Sequence, residues 1–373
     1  MAAEAFGLFR VIDCTRMTQV VMRMSGSPPI GDVEESFGQR AKDFFSAARP
    51  LEEFSDGVKS FVGILSAVLA LPFRIILVDD PEAFLHPPHA RLLGRYLSQL
   101  VRAKNGSLVT STHSSEFLMG CVEEVPDVAV IRLTFQEGVS TARALLPSEV
   151  KPLMRDPLLR STDVLSALFH QGAVVTEADS DRAFYEELNR RLVLVGRGVR
   201  DALFSNAQNA QTISKLVGPL RKIGVPAVAL ADLDAIADTD GSWGALLRSC
   251  NVPESLLPEL GDERRWLVGL LPDREKLKSS GISSLSPEDK ARAQRFLNSL
   301  ADYGLFLVPV GQLESWFPEM NICGHGSQWL VRFFSRIGQN PSDSDYLSPA
   351  AGEVWDFLDR LSLWISDPDR LGT

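Results

Sequence analysis

Two periods alternate along this chain. Short apolar, β-branched runs alternate with longer stretches whose apolar positions recur every three or four residues, and these read as buried strands and amphipathic helices respectively. From Ser55 onward the pattern predicts a helix over Gly57 to Leu71, a strand over Phe73 to Val78, a helix over Pro88 to Lys104, a strand over Ser107 to Ser111 and a short helix from Ser115 to Cys121. Asp127 to Phe135 and Val139 to Leu145 read as a hairpin turning at Gln136-Glu-Gly. A second series starts at Gln171, with strand 173–176, helix 180–194, a short strand near 202–205, helix 209–223 and strand 225–231. Residues 238–302 are polar, Ser-rich and mostly helical, and Gly304 to Val310 is a further apolar strand. The first fifty or so residues are weakly patterned, with a loop at Ser25-Gly-Ser-Pro-Pro-Ile-Gly31 and a helix over Val33 to Ala48.

Strands and helices that alternate in this way predict an α/β protein with parallel sheets covered by helices. Pro147, Pro152 and Pro157 punctuate a helical connector, where the chain is expected to divide. The expected organisation is a first domain at 1–150, a connector at 151–170, a second domain at 171–320 and a helical C-terminus at 321–373.

At 373 residues and 45% hydrophobic content the chain has material for two or three cored domains. No apolar run reaches the roughly eighteen residues of a membrane helix, and Met1-Ala-Ala-Glu lacks the basic start of a signal peptide, so a cytoplasmic protein without a membrane partner is expected. Cys14, Cys121, Cys250 and Cys323 are scattered, with no Cys-x-x-Cys and no neighbouring histidines, and read as reduced packing residues. His86, His89, His170 and His325 have no metal-ligand spacing, and Trp243, Trp266, Trp316 and Trp329 read as core anchors. The net charge of −10 excludes coating of nucleic acid by bulk positive charge. Local patches remain: Arg190, Arg191, Arg197, Arg200, Arg221 and Lys222 are either phosphate contacts or solvated helix faces.

The chemistry lies at strand ends. Ala173-Val-Val-Thr-Glu177-Ala-Asp-Ser-Asp181 and Val228-Ala-Leu-Ala-Asp232-Leu-Asp234 are apolar runs that deliver carboxylates to a C-terminal sheet edge, where Asp232 and Asp234 point to one face. Four oxygen donors gathered there suit magnesium or manganese, and such metals cleave a phosphodiester by holding its attacking and leaving oxygens. The alternative is that Asp179 or Asp181 only caps the next helix. Glu314 follows a third apolar strand and is a candidate fifth ligand.

In the first domain, Ile75-Ile-Leu-Val-Asp79-Asp80-Pro-Glu82 is a strand ending in acids and Ser111-Thr-His113-Ser-Ser-Glu116 one ending in a histidine. A strand-end Asp can hold the magnesium of a nucleotide, an adjacent acid can orient water, and a nearby histidine can meet the γ-phosphate. Phe54-Ser55-Asp56-Gly57-Val-Lys59 sets a hydroxyl and a glycine at a helix N-terminus, a cradle for an anion. In this order the three elements resemble the ABC-type ATPases of genome maintenance: Ser55-Asp56-Gly57 their signature motif, Asp79 and Asp80 the end of their Walker B strand, His113 their switch histidine. No Gly-x-x-x-x-Gly-Lys-Ser/Thr occurs, so Walker A is missing, and Asp80 stands where that family has Glu.

Together with the carboxylate strands, this resembles the OLD (overcoming lysogenization defect) nucleases, in which an ATPase precedes a Toprim domain. The resemblance spans about residues 50–320 and implies a Rossmann-like Toprim domain, with Glu177, Asp181, Asp232 and Asp234 as metal ligands and Glu177, Asp232 and Asp234 also catalytic. It further implies cleavage of DNA linked to ATP, a role in antiphage defence, and a homodimer through the ATPase half in which Ser55 serves the partner's nucleotide. Ala178 stands where the family has Gly after its glutamate, and no lysine follows Lys290, although some relatives use a late lysine at the transition state; Arg332, Arg336 and Arg360 are the cations left there. Two other readings compete: a non-catalytic regulatory subunit, or a truncated copy, that completes the ATP site of a partner carrying its own Walker A; and a primase- or topoisomerase-like Toprim protein, for which no attachment tyrosine or zinc ribbon is evident.

Overall fold

A computed structural model describes the chain apart from residues 16–18, 71, 126, 137, 158 and 160–164. Leu71 at the end of the first expected helix, Glu137 of the expected hairpin turn, and part of the expected connector therefore lie outside the described residues. The strands are β1 (Phe9–Asp13), β2 (Val21–Ser25), β3 (Arg49–Pro50), β4 (Ile75–Val78), β5 (Ser107–Thr110), β6 (Val130–Gln136), β7 (Val139–Leu145), β8 (Gly172–Thr176), β9 (Ala202–Asn206), β10 (Ala227–Ala231) and β11 (Leu305–Leu307). The fold is mixed α/β and forms two compact units. One comprises Met1–Val130 with Leu146–Met154, the other Ile131–Leu145 with Arg155–Thr373.

In the first unit β1, β2 and β3 form an antiparallel sheet within the stretch that reads as weakly patterned. The reason is a polar core position: Asp13 is 2% exposed and forms a 2.7 Å ion pair with Arg23, so the apolar pattern is broken at a buried position of the strand. The helix expected from Val33 begins only at Gln39.

The other sheet of this unit is the parallel pair β4–β5, in register from Ile75 opposite Ser107 to Val78 opposite Thr110. Its inner face, with Ile76 and Leu108, packs on Phe61, Leu93, Leu97 and Phe117 from the helices Asp56–Ala70, Pro87–Ala103 and Ser115–Glu124. The last two helices meet backbone to backbone. A Cβ on Gly94 would lie 2.3 Å from the Phe117 carbonyl oxygen, and one on Gly120 would lie 2.0 Å from that of Arg91. The outer face is uncovered, with Ile75, Leu77 and Val109 at 70, 75 and 60% exposure. Phe73 to Val78, expected to be buried, is covered on one side only, whereas parallel strands are ordinarily covered on both.

The second unit is built on a four-stranded parallel sheet in the order β11-β10-β8-β9. Every residue of β8 and β10 is buried, as their unbroken apolar runs predict. Helix Asp179–Leu194 lays Phe184, Leu188 and Leu192 into a core that also takes Trp329 and Phe333 of helix Gly326–Phe334 and Trp355, Leu358 and Leu361 of helix Glu353–Ser366. The C-terminal helices are thus part of this core, not an appendage. Trp243, Trp316 and Trp329 are buried as expected, but Trp266 is half-buried beneath the Arg292 guanidinium, 4.1 Å from its ring centre.

Two members of the expected phosphate patch have other work. Arg191 is 1% exposed and donates to the carbonyls of Ile337, Gly338 and Leu347, while Arg221 donates to those of Ala227, Cys250 and Gly372. Both guanidiniums tie loops to the core and neither is free to meet DNA. The β6–β7 hairpin belongs to this unit, not to residues 1–150, because Arg132 donates to the carbonyls of Leu168, His170 and Gly224.

Candidate functional site: an acidic crevice and a second cluster of strand-end acids

The chain leaves β8 for β9 on one side and reaches β10 on the other, so the C-terminal ends of β8 and β10 form the point where connections diverge. Open parallel sheets make their binding crevices there. Glu177 is the first residue beyond β8 and Asp232 the first beyond β10, and the Asp232 amide donates to Glu177 Oε1 at 3.1 Å. Asp234 follows in a short 3-10 turn and is 5% exposed. Asp181, 8% exposed, lies in the first turn of helix Asp179–Leu194, and its Oδ2 accepts the Ala178 amide at 2.9 Å. Asp181 therefore performs the capping role as well as facing the crevice, whereas Asp179 is exposed and paired with Arg182. Glu314 sits in the 3-10 turn after β11, where its Oε1 accepts the Gly326 amide at 2.8 Å.

The electrostatics show that these acids face one another. Burial pushes Glu177 up to about 7; the charges of Asp234 and Asp181 add to this, and the Asp232 amide and Lys278 oppose it. Burial likewise raises Asp181 to about 6, with Glu314 contributing. Asp232 is held well above the ordinary carboxylate value by burial and then by Glu177, Asp181 and Asp234. Tyr185 lies beneath them, its phenol raised by burial and by Asp181, Asp232 and Glu314, and its oxygen accepts the Trp316 indole N–H at 3.0 Å. Burial plus like charge is the combination that strains a carboxylate cluster.

Two cations that sequence reasoning overlooked close the crevice. Arg274 Nε donates to Asp234 Oδ2 at 2.7 Å and its Nη2 to Asp238 Oδ1 at 2.9 Å, while Lys278 Nζ stands 3.5 Å from Asp234 Oδ2. They come from a short polar helix with a single apolar residue, Leu277, and only their spacing of four marks them.

The donor set, carboxylate oxygens throughout, is that of a hard divalent cation. Among the described residues no three His, Cys, Asp or Glu side chains converge as a ready-made cage. Glu177, Asp181 and Glu314 instead accept backbone amides, and Asp234 is paired with cations. The carboxylate oxygens fit a divalent ion by their chemistry, and Asp234 is paired with Arg274 and Lys278.

In the first unit, Ser111 Oγ donates to Asp79, and the Asp80 amide donates to Ser111 Oγ at 3.2 Å. Asp80 has a left-handed φ of 40°, uncommon for a residue with a side chain and frequent at functional turns. Glu82 Oε1 accepts the Thr112 hydroxyl at 2.5 Å and the His113 amide at 3.0 Å. Among the described residues, Asp80 Oδ1 and Glu82 Oε2 are buried oxygens without a hydrogen-bond partner. The β4 and β5 ends thus assemble Asp79, Asp80 and Glu82 with Ser111, but His113 contributes its backbone, and its side chain is exposed. Ser55 and Asp56 are exposed at the start of helix Asp56–Ala70. Gly57 has a packing reason of its own, since a Cβ there would lie 2.6 Å from the Phe84 carbonyl oxygen.

Residues 39–119 match the family model described as "AAA domain, putative AbiEii toxin, Type IV TA system". The matched stretch, similar to an AAA-type ATPase domain, contains Ser55 to Gly57, Asp79, Asp80, Glu82 and His113. A solved structure from work on ATP-driven dimerization and DNA-stimulated activation of SMC ATPases aligns with a TM-score of 0.28 at 12% identity, over 40% of this chain and 80% of that one. No curated protein matches the chain. No helix among the described residues is long and apolar enough to cross a membrane.

Proposed function

We propose that the chain is an OLD-type, divalent-metal-dependent DNA endonuclease whose cleavage centre is the Toprim-like crevice of its second unit. The observation that carries this reading is the placement of Glu177, Asp181, Asp232 and Asp234 at the divergence point of β8 and β10, where burial raises Glu177, Asp181 and Asp232 and neighbouring acids add to the rise. A bound magnesium or manganese ion supplies Lewis acidity to the attacking and scissile phosphodiester oxygens. Asp232, Asp234, Asp181 and Glu177 would hold such an ion, with Glu314 as a further ligand. Glu177 is also the carboxylate we assign to take a proton from the attacking water.

The test is nicking of supercoiled plasmid by the purified chain with magnesium or manganese, beside EDTA and an Asp232→Ala, Asp234→Ala double variant. Cleavage that disappears in both controls supports the reading. Cleavage that survives the double variant, or a folded chain that never nicks, sinks it for the autonomous protein.

A second reading is favoured by the first unit, where an ATPase-type strand pair has an uncovered apolar face and two orphaned acid oxygens. On this reading Asp79, Asp80 and Glu82 meet magnesium and nucleotide only when another polypeptide covers β4–β5 and brings a phosphate loop, and the chain is a regulatory subunit. It expects a fluorescent ATP analogue to show no saturable binding to the chain alone. Tight binding by the lone chain would refute it.

A further inference from the structure

Arg274 and Lys278 are four apart on helix Arg274–Ser280 and so share a face. Both reach the same oxygen, Asp234 Oδ2, at 2.7 and 3.5 Å. This face is held in place by its backbone. A Cβ on Gly311, whose φ is +107°, would lie 2.0 Å from the Lys278 carbonyl oxygen, and one on Gly281 would lie 2.1 Å from that of Pro309. Ser315 Oγ donates to the Ser279 carbonyl at 3.1 Å, and Leu277 is 1% exposed. The helix is therefore locked to the loop after β11, the loop that also carries Glu314. Its two cationic heads are not locked: the side chains are 56% and 38% exposed. Arg274 also lines an open polar cleft of about 460 Å³ together with Asn209, Gln211 and Asp240.

Resting on the nuclease reading, we propose that Arg274 and Lys278 are an internal counter-cation pair, holding Asp234 while the crevice is empty of metal and passing to a phosphate of the DNA backbone once a divalent ion takes Asp234. The exchange conserves charge. An incoming divalent ion replaces two monovalent heads at the carboxylates, and the freed heads stand at the rim where a phosphodiester arrives. The Arg274 fork suits two phosphate oxygens and Lys278 offers a point charge. They are positioning residues of the substrate side, and they also set the threshold for metal loading.

The experiment compares the full chain with an Arg274→Gln, Lys278→Met double variant, by Mn2+ titration in a calorimeter and by plasmid nicking at saturating Mn2+. Removing the competitor is expected to tighten Mn2+ binding by several-fold to about tenfold while slowing nicking, two effects of opposite sign that a merely structural role does not produce. The charge-keeping Arg274→Lys, Lys278→Arg variant is expected to restore the weaker Mn2+ affinity, with circular dichroism confirming that all forms fold. Unchanged or weaker Mn2+ binding in the neutral double variant overturns the latch and leaves the nuclease reading standing. Absence of Mn2+ binding in every form overturns the metal-site reading, and the latch with it.

Discussion

Replacing Glu177 by Gln should make the metal-free protein more stable at pH 8 and have a much smaller effect at pH 5. The folded carboxyl titrates near 7 against an ordinary value of 4.5. The folded state therefore favours the protonated form. That contribution is complete below about 4.5 and is lost as pH rises through 7. The difference, 7 − 4.5 = 2.5 pH units, is worth about 3 kcal/mol at roughly 1.36 kcal/mol per unit, an upper bound because neighbouring acids relax when one charge is removed. For a unit of this size about 3 kcal/mol corresponds to a shift in Tm on the order of 6–12 °C. Glutamine keeps an oxygen for the Asp232 amide, so little is lost in exchange. The assay is thermal unfolding in EDTA at pH 5, 6, 7 and 8, followed by intrinsic fluorescence. The unmodified chain should lose stability across this range, with Asp181 and Asp232 adding in the same direction, and E177Q should lose less. Added Mn2+ should recover stability at pH 8 in the unmodified chain more than in E177Q. Unmodified protein that is equally stable from pH 5 to 8, or a gain in E177Q that is the same at every pH, would refute the argument that these acids strain one another.

Other outcomes follow from packing. Gly311→Ala puts a methyl into the Lys278 carbonyl at a left-handed φ and should cost at least 1–3 kcal/mol from the backbone alone, read as a loss of Tm together with weakened nicking; a neutral result would mean the helix is not pinned. Asp13→Ala strands the Arg23 guanidinium at a site where the acid is 2% exposed, and a cost of about 3–5 kcal/mol is expected, confined to the unfolding step of the first unit in a chemical denaturation curve. Leu77→Lys on the uncovered β4–β5 face should change stability by less than about 0.5 kcal/mol and reduce binding of a hydrophobic dye. A cost of several kcal/mol would show that something covers this face in solution.

The strand-end carboxylates were legible because their signal is local. A β-branched run that stops at an acid announces both a buried parallel strand and the edge it reaches, and Glu177, Asp181, Asp232, Asp234 and Glu314 are placed where that rule puts them. The helices over 57–71, 88–104, 180–194 and 209–223 were legible for the same reason, to within a residue or two of their described ends. What no local pattern contains is adjacency. That β8 lies beside β10, so that residues 55 apart meet through the Asp232 amide and Glu177, depends on how the sheet orders its strands. Arg274 and Lys278 reach Asp234 because two glycines let a polar helix approach the sheet edge backbone to backbone, a contact in which the side chains are silent. Arg191 and Arg221 reverse the usual reading of charge, since in both the surrounding carbonyls, not solvent, take up the guanidinium. The apolar run of β4 gave no warning that one of its faces would stand uncovered, because hydrophobicity records a demand for burial and only the tertiary structure decides whether a neighbour meets it.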